Sequence, residues 1–575
     1  MRPDEFRSEL RARLQCHASD VLLRIIVSGG DAVALTGGDI LRESERLAGL
    51  SSAPAGGVVL LLLPHSVELF LMHIGLVLTG RVPAILAWPT SRVDPEKYQR
   101  NLLHQFRNLP AQELITIPRL AENLGPALCY PVAGCPMEGI ARWEESFSAA
   151  LRHSAEEFPK PAFAASQKPS EALFLQFSGG TTGSQKAVVI TAPMLTRQLE
   201  SLREALNFSS EDAVVSWLPL YHDMGLIGCF WLPLWHAAPS VQLAANEWLL
   251  NPGLVFEHLE RYKGTFCWLP NFAFSYLAGQ RARMTGPYSL AHVRAFIDCS
   301  EPVRSSSLQG FAETFAGWDF SLDQIQASYA MAENVFAVTQ TKIGQSPRTI
   351  ARTAVRSGRN RAPLAFDLID DVYVSSGAPV SGVQIRIVNS QGDDCPELEP
   401  GEIQILTETL FSGYWGSQGF TTSSFTGDGW YATGDYGFLA EGELYVIGRL
   451  KDIVIVGGQN IFPEDVEAVV NAVSGIYPGR VVAFGIENAH DTESLIVVAE
   501  MKGAYDRNRA AALEKETARL IVTAIGIGPG RTCVVPERWI VKSTAGKISR
   551  RETRERYLRE LARPLESRVA VAGAQ

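Results

Sequence analysis

The chain joins short, almost continuously apolar runs with segments of helical periodicity. Val58–Pro64 and Val82–Leu86 are two such runs, and Val67–Gly80 between them carries apolar residues on most faces of a helix. Strands with this composition are typical of parallel sheets that are covered by helices on both faces. The order strand, helix, strand therefore predicts an α/β fold.

The N-terminal segment, residues 1 to about 55, places apolar residues at roughly helical spacing. Phe6, Leu10 and Leu14 fit one helix, and Val21–Ile26 continues the apolar pattern. Glycine-rich turns follow near positions 30 and 38. We expect a small helical entry subdomain here.

Four later predicted strands each end in a turn with polar side chains. The strands and their turn residues are Ala213–Leu220 with His222 and Asp223, Thr265–Leu269 with Asn271, Ala295–Cys299 with Ser300 and Glu301, and Ile325–Ser328 with Tyr329 and Glu333. In open α/β sheets, ligands bind where the carboxyl ends of the strands meet. The pattern predicts a binding site at that edge, although His222 seen alone would more often be a structural histidine.

From about Val372 the chain changes to short strands separated by Gly and Asp turns. Val383–Val388, Gly401–Leu406 and Gly442–Ile447 are the clearest of these strands, and they predict an antiparallel β subdomain over about 372–450. A helical segment, a strand pair and a basic stretch follow. We therefore predict an N-terminal domain of residues 1–450 and a smaller C-terminal domain of residues 451–575.

A loop without bulky side chains interrupts the apolar segment from Phe174 to Thr191. It contains Ser178, three glycines and two threonines, and Lys186 follows them. Inward-facing backbone N–H groups, hydroxyls and a lysine together suit a phosphate. The loop is not a Walker A motif, because Lys186 stands three residues after Gly183. Considered in isolation, it is equally well a flexible turn between strands.

Composition favours a small-molecule enzyme. The 575 residues include 46% hydrophobic and 20% charged residues, with a net charge of −10, which gives no indication of a nucleic-acid surface. The eight cysteines show no metal-ligand spacing and favour reduced thiols. We expect no structural metal, no integral membrane contact and a cytoplasmic location.

Five ordered motifs resemble the adenylate-forming superfamily of acyl- and aryl-CoA ligases, peptide-synthetase adenylation domains and luciferases. They are the phosphate loop Phe177–Ala187, the Tyr-Gly-x-x-Glu segment Tyr329–Glu333, the Thr-Gly-Asp segment Tyr431–Asp435, the hinge Gly448–Asp452 and the Ser-Gly-Lys segment Lys542–Lys547. Three more segments, Trp217–Gly228, Leu269–Phe274 and Ser300–Arg304, are most similar to fatty acyl-AMP ligases. Those enzymes load acyl adenylates onto carrier proteins rather than onto coenzyme A.

The resemblance covers nearly the whole chain and implies a fold. That fold is a large N-terminal domain of stacked α/β sheets with an antiparallel β subdomain, followed by a small mobile α+β C-terminal domain. The hinge between them would lie near Lys451. The implied activity is ATP-dependent activation of a carboxylic acid, in particular a fatty acid, and transfer to the thiol of an acyl or peptidyl carrier protein.

The resemblance also implies roles residue by residue. The pyrophosphate residues would be Ser178, Gly180, Thr181, Thr182, Gly183 and Lys186, with Glu333 holding Mg²⁺. The nucleoside residues would be Tyr329 on adenine, Ser300, Glu301 and Pro302 as its backbone wall, and Asp435 with Arg449 on the ribose. Lys547 would bridge the substrate carboxylate and the α-phosphate, and His222 would gate the acyl site.

The residue types agree with these roles. A hard cation between phosphates needs carboxylate oxygen, and a compact lysine cation offsets the repulsion between two anions. Seen alone, Asp435 and Glu333 would more often be ordinary turn residues and Lys547 a solvated surface charge. Their joint order favours the functional interpretation.

Some positions depart from the family pattern. Gln185 replaces the usual proline, Ala187 the usual glycine, Gly179 and Ala545 the usual serines, and Cys299 a glycine common in fatty acyl-AMP ligases. Two alternatives therefore stay open. One is an acyl- or aryl-CoA ligase with the same first step, and the other is a catalytically silent adenylate-binding protein.

A basic segment follows the glutamate motif where fatty acyl-AMP ligases carry an insertion. It spans Lys342–Arg361 and contains Arg348, Arg352, Arg356, Arg359 and Arg361. An insertion packed on the N-terminal domain would restrict domain rotation or the approach of coenzyme A. Its arginines could instead meet the acidic face of a carrier protein, or the segment could be a solvated loop.

Overall fold

The computed structural model describes two compact units. The described residues are 1–26, 32–88, 109, 111–116, 130–131, 141–143, 171–178, 186–355, 371–415, 424–487, 493–542 and 548–562. The first unit includes the described residues up to Ile447 except Asp371, and the second includes Asp371 and the described residues from Gly448 onward. The division falls inside the strand Glu443–Arg449.

A seven-stranded, mainly parallel sheet forms one layer of the first unit. Its spatial order is Ile325–Ser328, Ala295–Cys299, Phe266–Leu269, Val214–Ser216, Ser240–Gln242, Val21–Ile26 and Ala32–Thr36. Only the last pair is antiparallel. The strands Phe266–Leu269, Ala295–Cys299 and Ile325–Ser328 are buried along their whole length, which is typical of a parallel sheet that is covered on both faces.

A second sheet of seven strands lies in the same unit. Its spatial order is Tyr130–Pro131, Ala141–Trp143, Ala111–Thr116, Val58–Leu62, Val82–Ile85, Ala172–Phe177 and Ala187–Thr191. Parallel pairing joins its four central strands, and the last two strands form an antiparallel pair. The glycine-rich loop connects this antiparallel pair.

Helices accompany both sheets of the first unit. They span Pro3–Cys16, Gly37–Ala48, Val67–Leu78, Ala192–Leu206, Leu232–Trp235, Ala245–Leu250, Leu254–Tyr262, Asn271–Gly279 and Ser305–Phe315, with a π-helix at Met224–Trp231. Local sequence fixes several ends: Thr36 accepts a hydrogen bond from the Asp39 N–H as N-cap, and Asn207 ends a helix with a left-handed φ of 47°. Phe6 stacks on Trp235 at 4.7 Å, which packs the first helix into the core.

The end of the first unit is an antiparallel β subdomain. Four strands pair in the order Val383–Val388, Gly401–Thr407, Tyr431–Ala440 and Glu443–Arg449. Two small sheets accompany them: Thr349–Ala351 pairs with Val372–Val374, and Thr339–Gln340 with Ala378–Pro379. The short strands and their Gly and Asp turns in the sequence predicted this antiparallel arrangement.

The second unit has its own core of helices and strands. A mixed sheet contains three strands in the order Ile476–Glu487, Glu493–Met501 and Arg531–Val535. In a second, two-stranded sheet, Val454–Val456 pairs with Gln459–Ile461. The helices are Pro463–Asn471, Arg507–Ile525 and Arg550–Glu560. A buried apolar cluster that includes Val466, Val497 and Ile521 holds these elements together.

The architecture confirms the predicted fold class, with one error at the N-terminus. Val21–Ile26 is a strand rather than part of a helical segment, since it pairs with Ser240–Gln242 on one side and Ala32–Thr36 on the other. Its apolar residues satisfy a buried strand as well as a helix, and only the partner strands decide between them. Within the described part of the chain, every helix is too short or too polar to span a membrane.

Candidate active site

The predicted binding edge is formed by four adjacent parallel strands. Leu269 pairs with Asp298, and Cys299 pairs with Ser328, so these strands end at one level. The strand Val214–Ser216 lies beside them in the same direction. The turns with His222, Asn271, Ser300 and Tyr329 consequently leave from the same edge of the sheet.

The turn after Cys299 is tied to the neighbouring helix. Ser300 has φ 74°, a left-handed conformation that is uncommon for serine. The Glu301 carboxylate accepts a 2.9 Å hydrogen bond from the Phe272 N–H, and the Asn271 side-chain oxygen accepts one of 3.1 Å from the Arg304 N–H. The predicted adenine wall is therefore fixed to the start of the helix Asn271–Gly279.

Asp298 lies beneath this turn and was missed in the sequence. Its side chain is fully buried, and neither carboxyl oxygen has a hydrogen-bond partner among the described residues. Burial, and then the charge of Glu301, raise the pKa of Asp298 well above its ordinary value. Burial therefore favours the neutral form of this carboxyl. The sequence pattern did not single out Asp298, because it lies inside a predicted strand rather than in a turn at the end of one.

Tyr329 and Asp435 come together although 106 positions separate them. The Tyr329 hydroxyl donates a 2.6 Å hydrogen bond to Asp435 Oδ2. The Asp435 N–H donates to the Thr433 hydroxyl, which donates in turn to the Ile403 carbonyl. These bonds bring the residues predicted for adenine and ribose into direct contact and hold the aspartate in one orientation.

Glu333 contacts a tyrosine that sequence reasoning did not single out. Glu333 lies in the 3₁₀ turn Ala332–Asn334, and the Tyr414 hydroxyl donates a 2.7 Å hydrogen bond to its Oε1. Burial, followed by the charge of Glu333 and the effect of Tyr431, raises the pKa of Tyr414 far above its ordinary value. Tyr414 is therefore the protonated donor in this pair. Val335, just beyond the turn, has φ 64°, which is rare for a β-branched residue.

Lys186 and Ser178 close the base of the glycine-rich loop. The Ser178 N–H donates to the Lys186 carbonyl at 2.9 Å, and the Lys186 N–H to the Ser178 hydroxyl at 3.4 Å. The Lys186 ammonium lies 4.5 Å from the centre of the Tyr414 ring. Four predicted phosphate residues, Gly180, Thr181, Thr182 and Gly183, lie outside the described residues.

His222 stands at the entrance to the π-helix Met224–Trp231. The backbone N–H of His222 donates to the Pro219 carbonyl, and the backbone carbonyl of His222 accepts a 2.8 Å hydrogen bond from the Leu226 N–H. Gly225 is required here, since a Cβ would lie 2.4 Å from the Pro219 oxygen. π-Helical turns are frequent at functional sites, and this one fixes the position of the histidine backbone.

The residues predicted to act from the C-terminal side belong to the second unit. Arg449 ends a strand, and Lys451 lies in the 3₁₀ turn Leu450–Asp452. Lys547 lies outside the described residues. Close to it in sequence, Arg550 donates to Glu467 at 2.8 Å and lies 3.5 Å from Asp452. Burial would lower the pKa of Arg550, but the carboxylates around it outweigh burial and raise that pKa above its ordinary value.

Glu333 is a suitable ligand for Mg²⁺. Tyr414 engages Oε1, and a second carboxylate oxygen is the donor that a hard cation prefers. The described residues contain no group of three or more His, Cys, Asp or Glu side chains placed to hold a metal. One carboxylate with substrate phosphates is a common way to bind Mg²⁺, so the residues present fit this ion.

The described part of the basic insertion, residues 342–355, is attached to the β subdomain. Arg348 forms ion pairs with Glu441 at 2.7 Å and with Glu443 at 3.5 Å. The strand Thr349–Ala351 pairs with Val372–Val374, and the Arg352 guanidinium lies 4.5 Å from the centre of the Tyr373 ring. Three further arginines, Arg356, Arg359 and Arg361, lie outside the described residues.

Comparison with known proteins identifies related enzymes. The AMP-binding enzyme family matches residues 15–415. The long-chain-fatty-acid–AMP ligase FadD26 of Mycobacterium marinum is 30% identical over 426 residues, 69% of this chain and 72% of that protein. The medium-chain-fatty-acid–[acyl-carrier-protein] ligase JamA of Moorena producens is 28% identical over 432 residues, 70% of this chain and 72% of JamA.

The fold is also shared with a solved structure. A chain from structural studies of fatty acyl-adenylate ligases of E. coli and L. pneumophila superposes with a TM-score of 0.79. The match covers 96% of this chain and 98% of that chain at 23% identity. Because the family match spans more than half of the sequence, the chain belongs to the AMP-binding, adenylate-forming enzyme family.

Proposed function

We propose that this enzyme activates a fatty acid with ATP and transfers the acyl group to a carrier protein. In the first step a carboxylate oxygen bonds to the α-phosphorus, the bond to the β-phosphate oxygen breaks, and pyrophosphate leaves. In the second step the phosphopantetheine thiol, losing its proton, bonds to the acyl carbon and AMP leaves. The names of FadD26 and JamA describe these two kinds of activity and support the proposal.

The observation that carries the proposal is the convergence of nucleotide-binding residue types in the first unit. Tyr329 and Asp435 form one hydrogen-bonded pair. Glu333 and Lys186 both contact Tyr414. An aromatic ring and a carboxylate suit a nucleoside, and a carboxylate with a lysine suits a metal-bound pyrophosphate.

At the nucleoside end, we assign Tyr329 to the adenine ring and Asp435 to the ribose hydroxyls, with Arg449 as a second ribose partner. The hydrogen bond from Tyr329 orients the Asp435 carboxylate before the nucleotide arrives. Ser300, Glu301 and Pro302 form the wall beside adenine. The hydrogen bonds from this segment to Phe272 and Asn271 keep that wall fixed.

At the phosphate end, the loop residues and Lys186 hold the leaving pyrophosphate. Mg²⁺ on Glu333 would neutralise charge on the phosphate oxygens. Lys547 is assigned to the attacking carboxylate and the α-phosphate, where its positive charge offsets the repulsion between two anions. His222, at the turn before the π-helix, is assigned to the gate of the acyl site.

The choice of acceptor is assigned to the basic insertion. Arg348 and Arg352 already have partners within the chain, which favours a packed insertion over a solvated loop. A packed insertion restricts domain rotation or the approach of coenzyme A. The thiol at the end of the long phosphopantetheine arm of a carrier protein would then be the one that reaches the acyl adenylate.

The decisive experiment measures pyrophosphate release with a panel of aliphatic, aryl and amino acids. We expect release with fatty acids, and transfer to a holo-carrier protein in preference to coenzyme A. The Glu333→Gln variant serves as the inactive control. If none of the acids leads to pyrophosphate release, the result would support a silent adenylate-binding protein. Efficient acyl-CoA synthesis would support a coenzyme A ligase.

A further inference from the structure

Two groups required by the proposed function come from distant parts of the chain. Lys186 precedes the strand Ala187–Thr191, and Glu333 lies in a 3₁₀ turn after a different sheet. Both have flexible side chains, which lose conformational freedom when they bind a ligand. Their positions in the free enzyme therefore affect how well metal and pyrophosphate are bound.

Tyr414 contacts both groups. Its hydroxyl donates to Glu333 Oε1 at 2.7 Å, and its ring lies 4.5 Å from the Lys186 ammonium. The hydrogen bond fixes one carboxylate oxygen and directs the other away from the tyrosine. The ring attracts the lysine through a cation–π interaction.

Tyr414 is in turn held by the elements that it connects. It forms an antiparallel bridge with Val188, and the next residue, Trp415, donates its N–H to the Ala187 carbonyl at 2.8 Å. The Phe411 N–H donates to the Glu333 carbonyl, also at 2.8 Å. The segment Phe411–Trp415 thus joins the phosphate-loop strand to the glutamate turn, and we call it the brace.

We propose that Tyr414 is a positioning residue that presents the Glu333 carboxylate to Mg²⁺ and keeps Lys186 beside it. This inference rests on the proposed function and extends it to a residue outside the motifs that suggested that function. Hydrogen-bond partners of metal-ligating carboxylates orient them, and their loss typically weakens metal binding or activity by about 10–100-fold. The buried Tyr414 ring, 6% exposed, also packs on Phe411 at 4.7 Å.

The Tyr414→Phe variant tests the hydroxyl separately from the ring. It keeps the ring, with its packing and its contact with Lys186, and removes the hydroxyl that bonds to Glu333 and Tyr431. We expect ATP binding in EDTA to be unchanged by calorimetry and the Mg²⁺-dependent gain in ATP affinity to fall about 10-fold. The melting temperature should remain within a few degrees of the wild type.

Two comparison variants complete the test. Tyr445→Phe removes another buried tyrosine hydroxyl of the β subdomain, whose ring stacks on Phe438, and should leave Mg²⁺ dependence unchanged. Tyr414→Leu also removes the ring below Lys186, so it should weaken ATP binding in EDTA as well.

The outcomes distinguish this inference from the proposed function. If the wild type binds Mg²⁺ and ATP together but Tyr414→Phe shows the same or a stronger Mg²⁺ dependence, the role of Tyr414 is overturned. An equal loss with and without Mg²⁺ would mean a purely structural tyrosine and would also overturn it. If the wild type binds no Mg²⁺ with ATP, the proposed function fails, and this inference fails with it.

Discussion

Among single residues, Lys547 gives the clearest separation of the two half-reactions. We expect Lys547→Ala to lower adenylate formation by at least about 100-fold, because the carboxylate and the α-phosphate lose the cation between them. Thioester formation from pre-formed acyl adenylate should be spared. Pyrophosphate exchange and acyl transfer are measured separately, with Lys515→Ala on the exposed face of Arg507–Ile525 as the control. Equal loss of both steps would contradict this assignment.

Asp298 gives a residue-level prediction about stability and pH. Its folded pKa is raised, so the native state holds a proton that the unfolded chain releases above about pH 4. Stability from this group is present at low pH and is lost as the pH rises. We expect Asp298→Asn to raise the melting temperature by about 2 °C or more at pH 8 and to change it little at pH 4. A pH-independent difference would show that Asp298 does not titrate in this way.

At the scale of elements, the turn Leu450–Asp452 is the predicted hinge. Lys451→Pro fixes φ and removes a backbone donor, so adenylation should survive while thioester transfer falls about 10-fold or more. Lys451→Ala removes the side chain without fixing φ and should keep both steps. Measuring each half-reaction in the two variants checks this, and unimpaired transfer in Lys451→Pro would count against a hinge at this residue.

The elements also show why local patterns succeeded where they did. Strands such as Val58–Leu62 and Phe266–Leu269 are apolar on both faces, so any fold that buries them is a covered sheet. Val21–Ile26 is apolar except for Arg24, but it follows a true helix, and its partner strand Ser240–Gln242 lies more than 200 positions further along the chain. A local pattern cannot specify so distant a partner.

For the whole molecule, the insertion predicts which thiol the enzyme accepts. We expect little acylation of free coenzyme A by the intact protein and measurable acyl-CoA synthesis when residues Gly344–Arg361 are shortened. The smaller change Arg348→Ala separates the two interpretations, because Arg348 binds Glu441 and Glu443. If the insertion acts by packing, Arg348→Ala should loosen it and increase acyl transfer to coenzyme A. If the insertion is a docking surface, the same variant should have a higher KM for the carrier protein. Efficient acyl-CoA synthesis by the intact enzyme would contradict both.

The sequence by itself determined the α/β class, the β subdomain and the residue types of the candidate site. Those features depend on local periodicity and on the order of motifs, both of which are properties of the linear chain. The roles of Gly180, Lys547 and the other motif residues remain predictions from that order.

Only the tertiary structure decided which side chains meet. Tyr414 contacts Glu333 across 81 positions, and Tyr329 contacts Asp435 across 106. Within the described part of the chain, the Asp298 carboxyl has no hydrogen-bond partner, and Ser300 and Val335 adopt positive φ angles that their residue types disfavour. Each of these features depends on long-range packing that outweighs local preference, which is why the sequence showed the chemical groups but not how they are held.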